Sequence, residues 1–158
     1  MRTTALTVLL LTPLSLPAFG SERDCKEITD ALDKMRTSPI VLQTDVRPDF
    51  PGPIETIYAT DAMYVSAGGD WKKMDVTAAT RIAQMEELLK QFPVRDCATA
   101  GEEKVGDRPT TVFSYVFGST EQPLDMQLWI GDDGLPYRWK SGPTTSTMQY
   151  EDVAIPKI

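Results

Sequence analysis

The chain has 158 residues, 16 basic against 23 acidic, a formal net charge of −7 and no histidine. An acidic chain without a basic run is unsuited to nucleic acid, whose binding rests on phosphate neutralisation, and to lasting attachment to an anionic membrane surface. The missing imidazole removes Ser-His-Asp and Cys-His nucleophile chemistry and nearly every zinc site, so catalysis would have to run on carboxylates, Lys, Tyr or Ser.

Residues 1–20 read as a secretory signal peptide: Arg2 supplies a positive start, 5–16 is a Leu-rich apolar run broken by Pro13, and Ala18-Phe19-Gly20 is the cleavage region. The apolar run is shorter than the roughly 20 residues a bilayer span needs. Cleavage is expected near Gly20, with no acyl anchor, because Cys25 follows Ser-Glu-Arg-Asp rather than small apolar residues. The expected product is a periplasmic protein without stable membrane insertion, formed by residues 21–158 as one domain.

Residues 21–36 read as a helix. Ser21 caps it, Asp24 completes a capping box, and Cys25, Ile28, Leu32 and Met35 share one face. Ser38-Pro39 ends it. Strands are predicted at 40–46 and 54–60, separated by a Pro- and Gly-rich loop. A hairpin follows, with 62–66 and 71–74 flanking Ala67-Gly68-Gly69-Asp70. A second helix over 77–91 carries Ile82, Met85, Leu88 and Leu89 on a stripe continued by Phe92, with Arg81, Gln84, Glu87 and Lys90 on the other side, and Pro93 stops it.

The period then becomes two. Strands are predicted at 96–105, 111–117, 124–130, 135–140 and 144–153, joined at Gly106 to Pro109, Asp132-Asp133-Gly134 and Gly142-Pro143. Strands joined by such short turns make an antiparallel meander. The fold class is therefore α+β: a curved antiparallel sheet, a half-open barrel, with two helices packed on its concave face. Cys25 and Cys97 are the only cysteines. A lone pair in an oxidising compartment forms a disulfide, here pinning the first helix to the edge of the sheet. Neither a C-x-x-C pair nor a neighbouring His supports a redox or metal thiol.

Leu128-Trp129-Ile130-Gly131, then Asp132 to Arg138, then Gln149-Tyr150-Glu151-Asp152-Val153 and Ile155-Pro156, form a pattern that resembles secreted proteins related to the LolA, LolB and LppX lipoprotein carriers. The resemblance implies a half-open barrel whose helices close over an apolar cavity that takes acyl chains or free lipids. It transfers no ligand-contact residue. The motif residues read as structural, with Asp132, Asp133 and Gly134 turning the chain and Arg138 facing outward.

Met63, Met74, Met85, Leu89, Phe113, Tyr115, Phe117 and Met126 are the candidate cavity residues, because Met and aromatic side chains adapt to flexible chains. The bland reading of each is a packed core. Trp129 alternates out of phase with Leu128 and Ile130 and should cover the outer face of the sheet. The acidic pairs Glu86-Glu87 and Glu102-Glu103 lack the facing geometry of a carboxylate hydrolase and read as solvated surface. The expected function is non-catalytic carriage of a lipid or acyl chain, without cofactor or metal. The alternative is an envelope protein-interaction module with a filled core.

Overall fold

The computed structural model describes residues 21–158, and the expected signal peptide, 1–20, lies outside the described residues. Helix α1 (Glu22–Thr37) leads into β1 (Ile40–Val46), β2 (Ile54–Ala59), β3 (Met63–Ala67) and β4 (Trp71–Met74). Helix α2 (Ala78–Gln91) is followed by β5 (Arg95–Val105), β6 (Arg108–Gly118), β7 (Pro123–Gly131), β8 (Pro136–Ser141) and β9 (Thr144–Gln149). All nine strands join one antiparallel sheet in the order β4-β3-β2-β1-β9-β8-β7-β6-β5. The sheet is curved and unclosed, with β4 and β5 as its edges, so the expected α+β half-open barrel is the fold observed.

Three local expectations change. The last strand ends at Gln149, and 150–158 continues without strand structure. The turn expected at 106–109 shrinks to Gly106-Asp107 between β5 and β6. The capping box is only half made. Ser21 Oγ accepts from the Asp24 amide at 3.0 Å, but Asp24 turns away to accept from the Thr99 amide at 3.1 Å. The Ser21 amide donates instead to the Cys97 carbonyl at 3.0 Å. Helix α1 is thus tied to β5 by backbone, side chain and the Cys25–Cys97 disulfide together.

Directly paired residues of antiparallel neighbours share a face, so the register divides the whole sheet into two surfaces. Phe113, Leu128, Trp139, Ser146, Asp45 and Ile54 run across one of them, strand by strand. This face carries α1: Ile28 and Ala31 are buried with Phe113, Tyr115, Leu128 and Ile130, and Leu128 is wholly inaccessible. Burial on that scale favours folding by about 2 kcal/mol per large side chain.

A second cluster lies on the opposite, outer face of the other half of the sheet. Ile57, Ala59 and Tyr64 are buried there with Leu42 and Trp71, and Val153 of the C-terminal segment packs on them. Tyr150 fastens that segment by donating to the Pro136 carbonyl at 2.5 Å and stacking edge-on to Tyr137.

The Asp132-Asp133-Gly134 turn holds this corner. Asp133 accepts from Tyr137 Oη at 2.6 Å and from the Leu135 amide at 3.0 Å, while Lys34 of α1 reaches its carbonyl. Gly134 takes a φ of 73°, and a Cβ on Gly131 would lie 2.8 Å from the Tyr137 ring, so both positions require glycine. Trp129 covers the outer face as expected. It is 5% exposed, and its Nε1 donates to Glu103 at 2.8 Å. Glu103 also pairs with Arg138 at 3.2 Å, so it is engaged rather than simply solvated.

Candidate functional site

The site is the helix-bearing face and what crosses it. On the β1–β4 half this face presents Val41, Thr56, Tyr58, Met63 and Val65, with Met148 from β9. Val41, Thr56 and Met148 are buried. A polar trio lies among them: Gln43 donates to Asp45 at 2.8 Å, and the Ser146 hydroxyl bonds the same carboxylate.

Helix α2 crosses this floor and is held at its two ends. At its N-terminus Thr77 caps it, and the Ala78 amide donates to the Thr60 carbonyl at 2.9 Å. Arg81 donates to the Ala59 carbonyl at 2.8 Å and the Val76 carbonyl at 2.9 Å, with its guanidinium 5.3 Å from the Tyr58 ring centre. At the other end, Phe92 stacks edge-on to Phe117 of β6. The 14 residues of α2 span about 21 Å between these ties. The expected stripe, Ile82, Met85, Leu88 and Leu89, is half-buried, yet no residue of α2 is fully buried. This helix is a strap rather than a packed layer.

Arg81 departs from expectation. Its charge predicts the solvent side of the helix, but it stands four residues before Met85 on the stripe and reaches the sheet. Burial pushes the Tyr58 hydroxyl pKa up, and Asp45 adds to the effect. The Tyr115 hydroxyl, sunk beneath α1, is pushed up to about 12 by burial.

Between α1 and α2 runs an open groove of about 510 Å³, walled by Asp33, Arg36 and Thr37 on one side and Ile82, Glu86, Leu89 and Lys90 on the other. A second groove of about 510 Å³ lies over the β5–β7 region beside Glu103 and Ile130.

The eight candidate residues fall in three places. Met63 and Met74 are direct partners on the helix-bearing face, with Met74 at the exposed edge. Tyr115 and Met126 are partners on the same face, which also carries Phe113 and Phe117, but Phe113 and Tyr115 are packed into the core under α1. Met85 and Leu89 lie on the strap, and Leu89 lines the inter-helix groove. The structure therefore separates the set into a sheet-edge pair, a core group and a strap pair. Val41, Tyr58, Val65, Met148 and Arg36 were missed. Arg36 carried a signal, standing four residues after Leu32 on the apolar stripe of α1.

Among the described residues no helix is long and apolar enough to cross a membrane. A curved, unclosed sheet bridged by helices on one face is the architecture of the LppX-like class. The chain superposes on the lipoprotein LppX of Mycobacterium tuberculosis with a TM-score of 0.56 at 14% identity, covering 86% of this chain and 100% of that one. LprF of Mycobacterium bovis gives a TM-score of 0.55 at 12% identity, covering 89% and 99%. At such identity the likeness is one of fold. No protein-family model matches the sequence, and no curated protein does.

Proposed function

We infer that this protein is an exported, periplasmic, non-catalytic carrier of a hydrophobic ligand, a lipid or an acyl chain, held between the sheet and α2. The observation that carries this reading is the strap. Helix α2 bridges a floor whose apolar part is Val41, Met63, Val65 and Met148, is fastened at its ends, and buries none of its own residues completely. A helix held so loosely can admit a chain beneath it, where each buried methylene contributes about 0.8 kcal/mol. The LppX-like fold, shared with a protein described as a lipoprotein, agrees with a role in the cell envelope. The Cys25–Cys97 disulfide agrees with an oxidising compartment. Residues 21–158 would be the working domain after removal of 1–20.

Met63, Met85, Leu89 and Met148 are the side chains proposed to meet the ligand. Titration with a fluorescent fatty acid, together with mass spectrometry of lipid co-purified from a Gram-negative host, tests the reading. Saturable binding at micromolar concentration is expected. A protein that arrives lipid-free and ignores the probe at that concentration would refute carriage. A cross-linked protein partner in place of lipid would favour the docking alternative.

A further inference from the structure

Arg36 occupies the last turn of α1, and its side chain is 12% exposed. Its Nη2 pairs with Asp33, but Nε and Nη1 are buried and meet no acceptor among the described residues. Buried donors of a charged group left unpaired are costly and rare in folded proteins.

The surroundings suggest a use. Arg36 lines the inter-helix groove, where Ile82 and Leu89 supply an apolar wall and Lys90 a second positive charge. Two carboxylates stand against an incoming anion. Asp33 already holds one edge of the guanidinium. Glu86 lies near enough to act on Arg36 through its charge, yet forms no ion pair with it. Arg36 thus stands where an amphiphile would pass from water to the floor beneath α2, with its two unpaired donors buried, and Glu86 is the internal competitor for them.

Resting on the carrier reading, we propose that the Nε and Nη1 donors of Arg36 anchor the anionic end of the carried amphiphile, a carboxylate or phosphate, while its apolar chain lies under α2. A guanidinium suits this role because its paired N–H groups meet such anions in bidentate fashion. Reaching them requires a covering element to move, and α2, which has no fully buried residue, is the element proposed to do so.

Binding of palmitate and of its neutral methyl ester to protein purified from expression of the full chain separates the possibilities, with acetate and inorganic phosphate as free anions. The wild type should prefer palmitate about tenfold, a typical gain for one charge-assisted contact. Arg36→Gln should abolish the preference, lowering palmitate affinity about tenfold more than that for methyl palmitate. Glu86→Gln, on the exposed side of α2, should enlarge it and serves if the Arg36 variant fails to fold. Equal affinity of the wild type for both amphiphiles overturns the anchor and leaves the carrier reading standing. Binding of neither overturns both. Phosphate or acetate alone binding as tightly as palmitate overturns the amphiphile anchor in favour of a free-anion site.

Discussion

Replacing Arg81 by Met should release one end of α2 without disturbing the sheet. The guanidinium makes two donations to carbonyls, at 2.8 and 2.9 Å, and lies 5.3 Å from the Tyr58 ring centre. Hydrogen bonds from a charged group contribute about 1.5–3 kcal/mol each when sequestered, and a cation–π contact about 0.5–1 kcal/mol. Arg81 is only half-buried, so water recovers much of this, and about 2 kcal/mol is a reasonable net loss. Global unfolding loses the same contacts, so stability in urea should fall by about 2 kcal/mol as well. Native-state hydrogen exchange isolates α2: its amides should exchange about 30-fold faster than in the wild type, and in both proteins through an opening less costly than the one that exposes β6 and β7. Exchange in α2 at the wild-type rate, or α2 amides protected as strongly as those of β6 and β7, would refute the strap.

Two other perturbations test the fixed parts of the molecule. Replacing Cys25 and Cys97 by Ala opens a 72-residue loop and should cost about 4 kcal/mol of stability by chain entropy, measured by urea unfolding; a loss under about 1 kcal/mol would contradict the pinning of α1. Asp133→Asn should destabilise at neutral pH and much less in acid. Burial pushes this carboxyl up, but Tyr137, the Leu135 amide, Arg108 and Lys34 outweigh it and hold the folded pKa below 3.8. A depressed folded pKa gives stability that is present above the unfolded value and lost as pH falls through the folded one. The melting-temperature gap between the two proteins should therefore narrow from pH 5 toward pH 2, and a gap constant over that range would count against the network.

Much of the scaffold was legible because strand periodicity is local. Alternation at 111–117 and 124–130 put Phe113, Tyr115, Phe117 and Met126 on one face, and the register agrees. The Gly68-Gly69 hairpin likewise made Met63 and Met74 neighbours. Trp129, one residue out of phase, went to the other face for the same reason. The joining of the sheet's two halves was not legible. Pairing of β1 with β9 brings Asp45 beside Ser146 across 101 residues, and no local pattern selects that partner. Nor did charge reveal position: Arg36 and Arg81 sit at stripe spacing on their helices, but their type suggested solvent. Long basic side chains can lie along an apolar face and carry their heads to its margin, so spacing was the better guide than charge.

The two helices are held in different ways, and the difference bears on function. Helix α1 is joined to the sheet by a disulfide, by Asp24 on Thr99 and by Lys34 on the Asp133 carbonyl, and it covers a filled core. Helix α2 has no covalent tie and covers the other half. The outer side of that half is already sealed by Val153 and the C-terminal segment, so movement of α2 is the less costly way to uncover its floor. A chain of sixteen carbons under α2 would gain roughly 12 kcal/mol from burial alone, too much for ready release from a rigid pocket. Opening the strap costs at least the roughly 2 kcal/mol of the Arg81 contacts, so at most about 3% of molecules stand open at any moment. Exchange could then proceed through that fraction without unfolding the half that α1 secures.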